Sequence, residues 1–243
     1  MPLDFEELDF AETRMGELIL RRRCMPSLDN LEVYEVILGD AFLMSSLFTV
    51  VETALADLGL AALGPRQNID VVVGGLGLGY TAKAALNNTN VQHLIVVDAL
   101  EEVIGWHQRK MVPLGKTLCD DPRCRFVHGD FFAMATDPSA GFDADEPGRR
   151  FDAILLDIDH TPSKLLDVAH SDFYTLEGLQ KLVKKIKPGG VFAMWSDDPP
   201  DEKFIGLLSG VFETAEPEIV SFFNPLLERD SKSTVYVARG PRA

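Results

Sequence analysis

Asp70-Val71-Val72-Val73-Gly74-Gly75-Leu76-Gly77-Leu78-Gly79-Tyr80 is the stretch from which the fold is read. A β-branched run enters four glycines, and the helix-forming Thr81-Ala82-Lys83-Ala84-Ala85-Leu86 follows. The pattern predicts strand, tight turn, helix. Glycine is required there because a Cβ would block the turn and hold a ligand away from the backbone. The N-terminus of the helix offers unpaired N–H groups and partial positive charge to an anion or a polar ligand. The next strand, His93 to Val97, ends on Asp98. That is about 20 residues past the turn, the spacing of a ribose-binding carboxylate in a nucleotide-binding βαβ unit. Gly77-Leu78-Gly79-Tyr80-Thr81-Ala82 also satisfies the G-x-G-x-x-A pattern of nicotinamide sites. A tight turn without a ligand, beside a surface aspartate, is the plainer alternative.

With 243 residues, 46% of them apolar, the chain has room for one α/β domain and a small appendage. No apolar run reaches the roughly 18 residues of a membrane span. Met1-Pro2-Leu3-Asp4-Phe5-Glu6-Glu7 is acidic and lacks the basic-then-apolar pattern of a signal peptide, so a cytoplasmic protein with no membrane partner is expected. Three cysteines, Cys24, Cys119 and Cys124, make no disulfide framework. Cys119 and Cys124 flank Asp120 and Asp121, but with no C-x-x-C pair the expectation is free thiols and no metal. The net charge of −15 disfavours nucleic acid, whose phosphates need Lys and Arg. It suits a cationic substrate through long-range attraction, and it equally suits plain solubility.

Residues 1–15 read as an irregular acidic lead-in. From Gly16 to Met44 the pattern suits a small antiparallel β unit, with strands at Glu17–Arg21 and Leu31–Leu38 and turns at Pro26–Asn30 and Gly39-Asp40. Leu47, Val50, Val51, Ala54, Leu55 and Leu58 recur at helical spacing, and Gly64-Pro65 stops the helix. The chain then alternates. Strands are predicted at 69–73, 93–97, 125–128, 151–157 and 190–195, and helices at 80–86, 101–111, 131–135, 175–186 and 202–212. Such βα alternation implies an α/β fold with a mostly parallel sheet covered on both faces. Two closing strands, 218–223 and 234–239, have no helical pattern between them and form an antiparallel pair. The polar insert from Thr136 to Arg150 reads as an exposed loop. The predicted division is 1–45 for the β unit and 46–243 for the nucleotide-binding domain.

In an open parallel sheet, ligands bind beyond the carboxyl ends of the strands, near the switch in strand order. Four consecutive strand ends after the glycine turn carry acids: Asp98, Asp130, the pair Asp157 and Asp159, and the pair Asp197 and Asp198. Asp98 suits two ribose hydroxyls, and Asp130 suits an adenine amino group. Asp157 is most central and suits accepting a proton from an attacking amine. Asp159, Asp197 and Asp198 suit an ammonium group. Capping after the strand is the alternative for Asp157 and Asp159, and an N-cap of the next helix is the alternative for Asp197-Asp198-Pro199-Pro200-Asp201. His160 is either a base or a loop residue, and Trp195 either a pocket wall or core. His93, His107 and His170 carry no functional argument.

The chain resembles the spermidine synthases (polyamine aminopropyltransferases) and, more widely, the class I S-adenosylmethionine-dependent methyltransferases. The resemblance runs from about Gly39 to Arg239. It rests on the glycine turn, on Val96-Val97-Asp98 with Glu102-Val103-Ile104, and on Asp121-Pro122-Arg123-Cys124-Arg125-Phe126-Val127-His128-Gly129-Asp130. Phe151-Asp152-Ala153-Ile154-Leu155-Leu156-Asp157, Phe173-Tyr174 and Lys187-Pro188-Gly189-Gly190 continue it, and that last turn argues against a nicotinamide enzyme. The resemblance implies a Rossmann-like, doubly wound class I methyltransferase fold, transferase activity and a possible homodimer. It implies S-adenosylmethionine or decarboxylated S-adenosylmethionine as co-substrate, and a small amine as acceptor. It also implies that Gly74, Gly75, Gly77, Gly79, Asp98 with Ala99, Asp130 with Phe131, and Asp157 bind the adenosyl group. Asp157 is then the carboxylate that activates the amine.

Departures fall on the acceptor side. Where spermidine synthases carry the aspartate of G-G-G-D-G-G, this chain has Gly77. D-x-x-D-P reads Asp157-Ile158-Asp159-His160-Thr161-Pro162, the Y-H-E or Y-Q-E stretch reads Val50-Val51-Glu52, and the late Tyr-Pro reads Phe222-Phe223-Asn224-Pro225. An acceptor other than putrescine is therefore expected. Asp198-Pro199-Pro200-Asp201 follows strand five and lacks the aromatic of (D/N)-P-P-(Y/F), so an amide or base N-methyltransferase of that type is not supported. The alternatives are a methyltransferase of another substrate, or a non-catalytic nucleoside-binding protein that kept the fold.

Overall fold

The computed structural model describes residues 5–242. Four antiparallel strands come first, β1 (Phe5–Thr13), β2 (Gly16–Met25), β3 (Leu31–Leu38) and β4 (Ala41–Ser45), paired in chain order. Residues 5–13 are thus a strand rather than the irregular lead-in expected, and residues 1–4 lie outside the described residues. The pairing of β1 with β2 shifts between Glu7 and Asp9. Such a bulge interrupts the two-residue alternation by which a strand is recognised.

The remainder builds one seven-stranded sheet. Its elements are α1 (Val50–Ala61), β5 (Ile69–Gly74), α2 (Tyr80–Asn87), β6 (Val91–Asp98), α3 (Glu101–Gln108), α4 (Gly115–Asp120) and β7 (Cys124–His128). They continue with α5 (Phe131–Thr136), β8 (Phe151–Leu156), α6 (Leu176–Leu182), β9 (Ile186–Ser196), α7 (Glu202–Val211), β10 (Phe212–Asn224) and β11 (Arg229–Pro241). The order across the sheet is β10-β11-β9-β8-β5-β6-β7. Strands β5 to β9 pair in parallel, and β11 joins β9 and β10 in antiparallel register. The chain steps outward from β5 through β6 to β7, then crosses to β8 on the other side of β5, so the switch in strand order lies at β5.

Alternation along the strands sorts the core into two layers. Val71, Val73 and Leu155 face α1 to α4, whereas Val72, Ile154 and Leu156 face α5 to α7 and a cluster of phenylalanines. The insert of 136–150 is irregular, as expected, but it is not simply exposed. Phe142 is fully buried, stacked on Phe131 with ring centroids 5.2 Å apart. At the amino ends of the strands, Lys187 Nζ donates to Asp70 (2.7 Å) and Asp152 (2.8 Å), tying β5, β8 and β9 together away from the ligand end.

The N-terminal sheet packs on the same core. Leu18, Leu20, Val36 and Leu38 join the layer that holds α1 and β5. Asp9 Oδ2 accepts from Trp106 Nε1 and from Arg109 Nη2, both at 2.7 Å, which pins β1 to α3. Among the described residues no helix is long and apolar enough to cross a membrane.

Candidate active site

A cavity of about 550 Å³ opens at the carboxyl ends of the central strands. Met44 and its neighbours in β4 roof it on one side, and Phe222 and Lys232 of the β10–β11 hairpin wall it on another. Of the residues predicted from sequence, Gly75, Gly77, Asp98, Ala99, Asp130, Phe131, Asp157, His160 and Asp197 meet on its wall, as does Trp195. Gly74, Gly79, Asp159 and Asp198 are not part of that wall.

Two glycines of the wall have left-handed conformations and close neighbours that disfavour a side chain. Gly75 has φ +95°, and a Cβ there would lie 2.1 Å from the carbonyl oxygen of Asp157. Gly77 has φ +47°, and its Cβ would lie 2.4 Å from Met44 Sδ. That sulfur accepts from the N–H of Leu78 at 3.0 Å, so β4 is fastened to the turn. Gly74 and Gly79 act behind the wall instead, giving room to the rings of Phe131 and His107. His107, unassigned from sequence, is fully buried, and its Nε2 lies 2.9 Å from the carbonyl oxygen of Gly77. Burial holds its pKa down at about 4, so the ring is neutral and donates from Nε2 to that carbonyl.

Asp98 accepts from Leu76 N–H and Leu100 N–H, each at 2.9 Å, one on each oxygen. Burial raises its pKa, and those backbone donors oppose the rise. Every carboxylate oxygen has two lone pairs, so each keeps an acceptor site for a hydroxyl. Asp130 caps α5 through Oδ1, which accepts from Phe132 N–H (2.9 Å) and Ala133 N–H (3.2 Å). Its side chain therefore both starts a helix and faces the cavity.

Asp157 is held at both its backbone and its carboxylate. Its N–H donates to the Gly74 carbonyl (2.8 Å), and Oδ2 accepts from Thr81 Oγ1 (2.6 Å). Burial pushes its pKa up to about 6 against the pull of the Thr81 hydroxyl. Across the cavity stands Glu52, in the first turn of α1. Burial, and then the charge of Asp157, push Glu52 up to about 8. Thr81 and Glu52 were not among the predicted site residues. The signal for Glu52 was its position in the stretch matching Y-H-E.

Glu52 binds its proton more tightly in the folded chain than a carboxyl does in the unfolded one. Its contribution to stability is full at low pH and is lost as pH rises through about 8. Glu52→Gln removes that loss. Thermal unfolding from about pH 5 to about pH 9 is expected to show the variant gaining several degrees on the wild type as pH rises. A gap that stays constant across the range would refute the assignment of a raised Glu52 pKa.

Two of the acids expected at an ammonium group, Asp159 and Asp198, are not on the cavity wall. Asp159 is buried, and its carboxylate is filled from within the protein by Leu166 N–H (2.7 Å), His170 Nδ1 (2.9 Å) and Tyr174 OH (2.8 Å). It anchors the loop after β8. Asp198 is exposed beyond the rim, and its carbonyl accepts from Thr234 Oγ1 at 2.7 Å. The N-cap of α7 is Asp201, which accepts from Lys203 N–H and Phe204 N–H. Asp197 stays on the wall, with its N–H bonded to the His160 carbonyl at 2.8 Å. Burial lowers the pKa of His160, whose ring meets that of Trp195 edge-on with centroids 6.2 Å apart. Cys24, Cys119 and Cys124 are free thiols, and among the described residues no group of three His, Cys, Asp or Glu side chains is placed to hold a metal ion.

A parallel sheet with this strand order, an antiparallel closing pair and a glycine turn facing a row of acids defines a protein of methyltransferase-like fold. Two solved spermidine synthases share it. One, in complex with the transition-state analogue AdoDATO, superposes with a TM-score of 0.69 at 19% identity, over 96% of this chain and 73% of the other. The other, from Thermotoga maritima, gives 0.68 at 20% identity, over 96% and 72%. In sequence, the chain is similar to polyamine aminopropyltransferase 2 of Pseudomonas aeruginosa, 26% identical over 187 residues, covering 70% of this chain and 49% of that protein. It is similar to the polyamine aminopropyltransferase of Pyrobaculum islandicum, 26% identical over 129 residues, covering 53% and 40%. The chain thus spans about half or less of the length of these curated relatives. No family model matches it. In fold the chain is thus like the spermidine synthases, and in sequence it is similar to polyamine aminopropyltransferases.

Proposed function

We propose that this chain transfers an alkyl group, aminopropyl by analogy with its relatives, from an adenosyl-sulfonium co-substrate to a small cationic amine in the cytoplasm. The observation that carries the reading is Asp157, a half-buried carboxylate on the cavity wall at the switch point of the sheet, oriented by Thr81 and with its pKa raised to about 6. Its neighbours suit the adenosyl group. Gly75 and Gly77 leave the backbone bare, Asp98 beside Ala99 keeps acceptor sites for ribose hydroxyls, and Asp130 with Phe131 borders the space for the base. When bound, a sulfonium supplies an electrophilic carbon next to a leaving group that is already positively charged. Asp157 then receives the proton of the attacking amine, and Thr81 orients its carboxylate. The nitrogen lone pair forms the new C–N bond as the C–S bond breaks with its electrons kept on sulfur. Glu52 gives up its proton when a cation enters, and with Asp197 it balances the charge of the acceptor. In this reading, residues 46–243 carry the chemistry and residues 1–45 form the roof.

Gly77 favours a second reading, methyl transfer from S-adenosylmethionine itself, because no acid side chain stands there to repel a carboxylate. One calorimetric series separates the two, using both sulfonium forms, methylthioadenosine and S-adenosylhomocysteine. Tighter binding of decarboxylated S-adenosylmethionine and methylthioadenosine is expected for alkyl transfer to an amine. The opposite order supports methyl transfer, and binding of none overturns both.

A further inference from the structure

Outside the acids already assigned, one built feature faces the cavity with no role. His170 sits in the 3-10 segment Val168–Tyr174, which Asp167 caps by accepting from Ala169 N–H at 2.9 Å. The residue is only 8% exposed, and it lines the cavity on the wall that also holds Asp130, Phe131 and Phe132. Its ring lies on Phe132, with centroids 3.9 Å apart and planes 23° from parallel. Nδ1 is 2.9 Å from Asp159 Oδ1. Asp159 is itself 1% exposed, and Tyr174 OH and Leu166 N–H fix it from two other directions.

This arrangement sets the chemistry of the ring. A carboxylate at Nδ1 holds a proton there, so in the neutral form of the imidazole the lone pair lies on Nε2. Phe132 and Asp159 fix the ring plane, and therefore the direction of that lone pair. Nε2 has no hydrogen-bond partner among the described residues. The neighbouring wall holds a second acceptor, the carboxylate of Asp130, two positions before the phenylalanine on which the ring rests.

We propose that His170 is a base-reading residue, whose Nε2 accepts one N–H of the exocyclic amine of the bound adenine. This rests on the adenosyl reading above. An exocyclic amine has two N–H donors, and a wall with two acceptors, Asp130 and His170, matches both. A base with a keto oxygen at that position brings no donor and sets lone pair against lone pair. Asp159 is then a positioning residue, acting through the tautomer of His170.

The test is calorimetric titration of methylthioadenosine and of methylthioinosine, which has a keto oxygen in place of the amine, into the wild type, His170→Ala and His170→Gln. The wild type is expected to prefer the amine form by well over about tenfold, and His170→Ala to lower that preference by about tenfold. His170→Gln, which keeps an acceptor, is expected to restore part of it. A merely structural role would weaken both ligands alike and leave the ratio unchanged, and an unchanged ratio overturns the proposal. Because His170 is buried and its variants can fail to fold, the imidazole ¹⁵N spectrum of the wild type gives a second reading. Methylthioadenosine is expected to move the His170 Nε2 resonance upfield, as hydrogen bonding to a bare lone pair does. A resonance unmoved at saturation overturns the proposal while leaving nucleoside binding intact. Failure of the wild type to bind either nucleoside overturns the adenosyl reading, and this inference with it.

Discussion

Asp157→Asn is expected to lower kcat by about a thousandfold, within the range that general-base catalysis contributes. The change is nearly isosteric. The Thr81 hydroxyl, 2.6 Å from Oδ2 in the wild type, can still donate to the amide oxygen, and the backbone N–H to Gly74 is untouched. What disappears is a carboxylate able to receive the amine's proton. Methylthioadenosine binding should persist within a few-fold, so the loss should fall on turnover. The wild-type rate should rise with pH as Asp157 ionises around pH 6, since only the ionised form is a base. Loss of Asp157 also removes the second of the two causes that raise the pKa of Glu52, so that pKa should fall part of the way, with burial still holding it above the ordinary carboxyl value. Initial rates and nucleoside titrations across pH check all three statements. Full activity in the variant would remove Asp157 from the mechanism.

Gly75→Ala is expected to be the most damaging single-methyl change in the site. The added carbon would sit 2.1 Å from the Asp157 carbonyl oxygen, and the residue would have to hold φ +95°. Neither side can give way easily. Gly75 N–H donates to Val97 O at 2.9 Å, and Asp157 N–H donates to Gly74 O at 2.8 Å, so both neighbouring strands hold the turn in place. Strain and displaced backbone together should cost about 3 kcal/mol or more, lowering the melting temperature by roughly 10 °C. Nucleoside binding should be lost even at temperatures where the variant remains folded. Gly148→Ala is the control, because nothing lies within 4 Å of its added carbon. Equal melting temperatures for the two variants would contradict the packing described at the turn.

The parallel sheet was legible because its strands are buried on both faces and are entered and left through glycine, proline and acidic turns. The Val71-Val72-Val73 run, with its glycine turn and Asp98, needed only local pattern. β1 was not legible, because its bulge at Glu7 and Asp9 breaks the alternation and its residues are only half-buried. The site divides along the same line. Acids that end strands, such as Asp98, Asp130 and Asp157, are placed by the topology itself. Glu52 is not, since the predicted apolar repeat of Leu47, Val51, Leu55 and Leu58 leaves it out, whereas the face that α1 buries, with Leu55, Ala56 and Gly59, is the one that carries it. Only the packing of the first turn of α1 over the end of β8 makes that side a cavity wall. The partners of Asp159 are equally hidden. His170 and Tyr174 lie 11 and 15 residues away through an irregular loop with no period, so an acid at a strand end reads as ligand-facing when it is in fact turned inward.

The placement of the tryptophans equips the chain with its own optical reporters. There are two, and they sit in opposite surroundings. Trp106 is fully buried, with its indole N–H given to Asp9, so its emission should be blue-shifted and should change only when β1 detaches from α3. Trp195 is half-buried on the cavity wall beside His160, so its intensity should follow occupancy of the site. Trp106→Phe and Trp195→Phe would each leave a single emitter. Opening of the roof and filling of the cavity would then become separate spectroscopic signals in an unlabelled protein.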